Sequence, residues 1–141
     1  MRYVCLDVGE RRVGVAVSDP GGRVAVPVEV LVRERGVPLA DAVQPILDEH
    51  RPCEMVVGLP LRTDGSAGPE AEAVRGEAVE LAAELDVALH FWDERFTTRI
   101  ATDAAARMGA SSRRRRGNID HMAATVILQS FLDRSNAEAA E

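Results

Sequence analysis

The chain reads as an α/β domain built on a mixed β-sheet, on three observations. Residues 2–32 hold three strand-like runs joined by turn signals, the pattern of an antiparallel meander. From residue 38 onward helical and strand-like periods alternate, giving the order βββαβαβαα. The length, 141 residues, suits one domain with one sizeable core.

Residues 2–8 are nearly all apolar, as in a central strand covered on both faces. The two-residue period puts Tyr3, Cys5 and Asp7 on one face. Gly9 to Arg12 is a hairpin loop into a strand over 13–18, and Asp19-Pro20-Gly21-Gly22 marks the next turn. A third strand, 23–32, contains Pro27, which has no N–H to donate and so belongs on a sheet edge. Leu39, Val43, Ile46, Leu47 and His50 predict a helix over 38–50, kinked or shortened by Pro45. Met55 to Gly58 is a short buried strand, and Gly58–Pro60 with Asp64–Gly68 suit either a backbone-rich loop that approaches a ligand or a plain connection. Pro69 opens a second helix with Val74, Ala78, Leu81, Ala82 and Leu85 as its apolar stripe. Residues 87–92 form another buried strand, with Phe91 and Trp92 in the core.

Thr97 is a fitting N-cap for a helix running to Met108 and closed by Gly109. Residues 111–117 read as a mobile basic loop, and the last helix spans Asn118 to Arg134. Its inward stripe is expected to be Ile119, Met122, Ala123, Val126, Ile127, Ser130 and Phe131. The expected organisation is a single domain over 1–134 with a frayed polar tail over 135–141.

Hydrophobic content of 46% and charged content of 28% are ordinary for a soluble globular protein. No apolar run approaches the ~20 residues of a membrane span, and with a strand beginning beside Met1 a cleaved leader is not expected. Cys5 and Cys53 lack metal-ligand spacing and read as reduced thiols of a cytoplasmic protein. All 17 basic residues are arginine, and the net charge of −6 argues at first against a nucleic-acid partner. The distribution of charge along the chain argues the other way. Residues 70–94 hold one arginine and eight acids, whereas residues 95–117 hold seven arginines and one acid. The positive stretch follows directly on a candidate catalytic acid, where a phosphate chain needs it.

Three acids stand in apolar settings: Asp7, Glu94 and Asp120. A carboxylate there needs a cation, a proton or a good set of hydrogen bonds. Three together are most simply satisfied by divalent metal, which points to phosphodiester chemistry. Each also has a plainer reading. Asp7 suits acceptance of backbone donors from the following turn, Glu94 or Asp93 suits pairing with Arg95 or Arg99, and Asp120 suits a first helical turn through the helix dipole. Asp93 and Glu94 alternate, so only one should face the Asp7 edge. Arg95, Arg99 and the run Arg113, Arg114, Arg115 and Arg116 are candidate phosphate contacts, with surface ion pairs and a solvated face as the alternatives. Thr97 and Thr98 serve as helix cap first and phosphate donors second, and His121 is as consistent with packing as with catalysis.

Four ordered motifs then stand together. They are Leu6-Asp7-Val8-Gly9 with Arg12-Val13-Gly14-Val15-Ala16-Val17-Ser18-Asp19; Val56-Val57-Gly58-Leu59-Pro60-Leu61 with Asp64-Gly65; Asp93-Glu94-Arg95-Phe96-Thr97-Thr98; and Asp120, Ala123-Ala124 and residues 127–132. On these residues the chain resembles the YqgF/RuvX family of the ribonuclease H-like superfamily, described both as Holliday junction resolvases and as pre-16S rRNA nucleases. The likeness spans residues 3–133. It implies a five-stranded sheet of order 3-2-1-4-5 flanked by helices. It also implies that Asp7, Glu94 and Asp120 bind Mg²⁺ or Mn²⁺, and that Arg12 belongs to the nucleic-acid surface. One departure is Glu10, where family members often carry threonine or serine.

The expected chemistry is two-metal hydrolysis, with Asp7 bridging two ions and Glu94 and Asp120 each holding one. The expected substrate is nucleic acid, either the 5′ end of precursor 16S rRNA or a branched DNA junction. RNA processing is favoured on family grounds, and a junction resolvase should act as a two-fold dimer rather than a monomer. Two other classes remain in view. An actin-like phosphotransfer domain also begins with Asp-x-Gly but needs two lobes, and a non-catalytic nucleic-acid-binding module would keep the fold without cleavage.

Overall fold

The structure is a computed structural model that describes residues 1–95 and 112–140, with the side chains of 112–121 and 140 outside the description. The strands are β1 (Arg2–Val8), β2 (Arg12–Ser18), β3 (Ala25–Val32), β4 (Cys53–Leu59) and β5 (Leu89–Asp93). The helices are α1 (Leu39–His50), α2 (Pro69–Leu85) and α3 (Ser112–Ala140). One sheet runs in the order β3-β2-β1-β4-β5, with β1 antiparallel to β2, β2 antiparallel to β3, and β1–β4 and β4–β5 parallel. The mixed sheet and its order agree with expectation, and Pro27 lies on the β3 edge beside an irregularity in the ladder.

Two apolar layers flank the sheet. Val4, Leu6, Val13, Val15, Met55 and Val57 face α1 and α2, whereas Cys5, Ala16 and Val56 face α3. Adjacent residues of one strand thus enter opposite layers, as a strand covered on both faces requires. Phe91 and Trp92 split in the same way and are both partly buried.

Turn chemistry agrees closely with the sequence. The Asp19 carboxylate accepts the backbone N–H groups of Gly21, Arg23 and Val24 at 2.7–3.3 Å. Gly9 N donates to Arg12 O at 2.9 Å, and a Cβ on Gly9 would stand 2.8 Å from that same oxygen. Only glycine closes this turn without displacing the backbone.

Three expectations need correction. Pro45 neither breaks nor shortens α1, which runs through it from Leu39 to His50. The ~3 kcal/mol cost of an interior proline is met by burying Val43, Ile46 and Leu47, at about 1.5–3 kcal/mol each. The last helix is longer than expected at both ends, so the run Arg113–Arg116 and residues 135–140 have helical backbone. At its far end Asn136 donates to Gly22 O at 3.0 Å, which ties that turn to the β2–β3 connection. The buried stripe is also displaced: Ala123, Ala124, Ile127, Leu128 and Leu132 are buried, while Met122, Val126, Ser130 and Phe131 are half-buried. The expected helix from Thr97 to Met108 lies outside the described residues.

Candidate active site

The site forms where β1, β4 and β5 end together. Gly58 of β4 pairs with Trp92 of β5, and Leu6 of β1 pairs with Val57 of β4. Cys5 and Trp92 belong to the layer beneath α3. Asp7 and Glu94, each two residues further on, therefore come to the same face at the strand ends.

The two acids feel each other's charge. Burial first, and then the charges of Asp7, Glu70 and Asp93, push the Glu94 carboxyl up to about 7. Burial also drives the Cys5 thiol well above its ordinary range, with Asp7 and Glu94 both adding to the rise. One buried thiol thus feels both carboxylates at once.

Gly58 makes room for this arrangement. A Cβ there would stand 2.6 Å from Glu94 Oε2 and 2.9 Å from Ile127 Cδ1. The missing side chain lets Glu94 fold over β4 toward α3. Glu94 N donates to Leu59 O at 3.2 Å, which anchors its backbone to the same strand end. The backbone of Asp120 lies seven residues before Ile127, about two turns back along α3.

Asp93 turns the other way. It accepts Arg95 Nε at 2.7 Å, Arg95 Nη2 at 2.6 Å and the Arg95 backbone N–H at 3.0 Å. The Arg95 side-chain hydrogen bond holds the Asp93 carboxyl below its ordinary value against partial burial. Arg95 Nη1 also donates to Thr63 O at 3.1 Å, fastening the β4–α2 loop to the end of β5. Within that loop Gly65 has a φ of 89°, and the Asp64 carboxylate accepts the Ser66 N–H and hydroxyl at 2.9 and 2.6 Å.

The three acids singled out in the sequence therefore divide. Asp7 and Glu94 share one face and are coupled by charge; the side chain of Asp120 lies outside the described residues. Among the described residues no three of His, Cys, Asp and Glu converge to hold a metal ion. Arg12 is exposed at the start of β2, beside the end of β1. Thr97, Thr98, Arg99 and the side chains of Arg113, Arg114, Arg115, Arg116 and His121 lie outside the described residues. Glu10 lines a cleft of about 500 Å³ together with Val8, Arg33, Glu70 and Glu77. Sequence reasoning missed the Asp93–Arg95–Thr63 clasp as a whole; the close spacing of Asp93 and Arg95 signalled only its ion pair.

A family model described as "RuvX: Holliday junction resolvase" matches residues 1–134. The chain belongs to the RuvX family. Relatives in that family are close over nearly their whole length. A protein of Moorella thermoacetica is 44% identical over 134 residues, covering 95% of this chain and 96% of its own. One from Halothermothrix orenii is 38% identical over 136 residues, covering 96% and 97%. Both carry the name "Putative pre-16S rRNA nuclease". Among solved structures, Thermus thermophilus RuvC in complex with a Holliday junction superposes with a TM-score of 0.56 at 17% identity, covering 96% of each chain. That likeness is one of fold, and it agrees with a ribonuclease H-like sheet.

Proposed function

We propose that this RuvX-family chain is a divalent-metal-dependent nuclease that hydrolyses phosphodiester bonds in maturing the 5′ end of precursor 16S rRNA. The observation that carries the reading is that Asp7 and Glu94 share one face at the strand ends, Glu94 folded over Gly58, where burial first and then the Asp7 charge raise the Glu94 carboxyl to about 7. A carboxylate held there against burial and a like charge is suited to a hard, oxygen-seeking cation. Asp7 and Glu94 would hold that cation, with Asp120 as the third candidate ligand. When bound, Mg²⁺ or Mn²⁺ supplies a lowered water pKa and charge stabilisation at the leaving oxygen.

The chain's own residues do the rest. Gly58 and the Leu59 carbonyl orient Glu94, and the Arg95 clasp keeps Asp93 out of the acid pair. Arg12, Thr97, Thr98 and Arg113–Arg116 are the proposed backbone contacts, the arginines offering positive charge to a phosphate chain. The names of the curated relatives support rRNA as substrate. The family description supports a second reading, resolution of four-way DNA junctions, for which two-fold dimerisation is the expected companion.

One experiment decides between them. Purified protein is given a 5′-extended 16S precursor and a four-way junction, each with Mg²⁺ or Mn²⁺, beside Asp7→Asn. Metal-dependent cutting of the RNA, lost in the variant, supports the proposal. Cutting of the junction alone selects the second reading, and binding without cleavage under either metal rejects both.

A further inference from the structure

We propose that Arg62, on the loop between β4 and α2, is a phosphodiester contact of this catalytic edge, while Arg95 serves to hold that loop in place. The proposal rests on the nuclease reading above. Both arginines border the same loop, yet their guanidinium groups are used differently. Arg95 is taken up by partners within the chain, with Nε and Nη2 on Asp93 and Nη1 on Thr63 O. Its Nη1 also lies over Gly65, 3.2 Å from where a Cβ would stand.

Arg62 has a fixed base and an open head. Its backbone N–H donates to Ser66 O at 2.9 Å, and its carbonyl accepts Gly65 N at 2.8 Å. Its side chain rests against Gly68, with Nε 2.8 Å and Nη2 3.1 Å from the position of an added Cβ. Any larger residue at Gly68 would push it away. The nearest acid in sequence, Asp64, is turned to Ser66 and receives two hydrogen bonds there. Among the described residues the exposed Arg62 guanidinium makes no hydrogen bond and no ion pair.

Its location makes that open head useful. The loop springs from Leu59, whose carbonyl accepts the Glu94 N–H, and ends at Gly68, the residue before α2. Arg95, the residue after Glu94, reaches Thr63 O, next to Arg62, at 3.1 Å. Arg62 and the acid pair therefore share one edge. A polyanion approaching Asp7, Glu94, Glu10 and Glu70 meets strong repulsion, and a seated guanidinium on the adjoining loop offsets part of it. The planar fork of arginine can take two phosphate oxygens at once.

The test measures binding in an Asp7→Asn background, so that probes are not cut. Fluorescein-labelled 5′-extended 16S precursor RNA and a labelled four-way DNA junction are titrated by anisotropy across a salt series with Mg²⁺. Loss of one phosphate contact lowers the slope of log K against log salt by roughly 0.7 on single strands and 0.9 on duplex. Arg62→Ala should show that fall with several-fold weaker binding, Arg62→Lys should keep the slope, and Arg134→Ala, on the remote face of α3, should match the parent. A fall on one probe only still supports the contact and identifies the substrate. If Arg62→Ala matches Arg134→Ala in slope and affinity, the contact is wrong although the nuclease reading stands. If the parent binds neither probe, the nuclease reading itself falls.

Discussion

Glu94 folds over Gly58 so closely that a single added methyl group at Gly58 would stand 2.6 Å from Glu94 Oε2. The other crowded atom is Ile127 Cδ1 at 2.9 Å, so both clashes involve the mobile ends of side chains rather than backbone. Gly58→Ala should therefore keep the fold and move the carboxylate. A displacement of about 1 Å at a reacting centre costs on the order of 100-fold in rate. We expect a loss of that size in metal-dependent cleavage, with the melting temperature changed by only a few degrees. Unchanged cleavage would remove Glu94 from the reaction.

The pH dependence of stability should carry the mark of Glu94. Its folded carboxyl titrates at about 7, whereas its ordinary value is 4.5. The folded state thus keeps a proton that the unfolded chain releases. Stability from this group is fully present below about pH 4.5 and is lost as pH rises through about 7. The total is on the order of 3 kcal/mol at 1.36 kcal/mol per pH unit. In EDTA, denaturant unfolding should show a decline of about that amount between roughly pH 5 and roughly pH 8, and Glu94→Gln should flatten it. A decline of equal size in the variant would assign the effect elsewhere.

A divalent cation should act on the same balance. Binding to the folded state alone raises stability with concentration, by about 2.7 kcal/mol at a hundred times Kd. Mn²⁺ or Mg²⁺ is expected to raise the melting temperature at about pH 8, and less at about pH 5, where protons compete for Glu94. Asp7→Asn should abolish most of the increment. The check is a thermal scan with and without metal, and an equal response in the variant would count against Asp7 as a ligand.

The fold is legible in the sequence because its signals are local and mutually consistent. Pro27 marks the edge strand, Asp19 to Gly22 make the turn they spell, and the alternation along residues 2–8 places Asp7 and Cys5 on one face. Sequence and structure part where tertiary contacts overrule local preference. Pro45 taken alone is a helix breaker, yet Val43, Ile46 and Leu47 bury against the sheet and carry the helix through it. The polar composition of 135–141 suggests fraying, yet Asn136 finds Gly22 O across 114 residues. The same limit applies at the site. Asp7 and Glu94 can be picked out singly, but no periodicity in the chain says that Gly58 clears the space between strands or that Arg95 reaches Thr63.

That reach separates two roles that charge alone cannot distinguish. Arg95 uses three different nitrogens, Nε and Nη2 on Asp93 and Nη1 on Thr63 O. A lysine has one, so Arg95→Lys should fail where Arg62→Lys succeeds. Freeing the loop loosens the anchorage beside Glu94 and should lower kcat more than it raises KM, for alanine and lysine alike. Asp93→Asn breaks the charge side of the same clasp and should lower stability slightly, as expected for a half-exposed pair. Its pH signature runs opposite to that of Glu94. The Asp93 carboxyl is held low by Arg95, so its contribution is present above the ordinary carboxylate range and lost as pH falls through the lowered value. Unfolding curves of Asp93→Asn should accordingly meet those of the parent in acid and part from them toward neutral pH. Should Arg95→Lys retain full kcat, the clasp has no part in positioning Glu94.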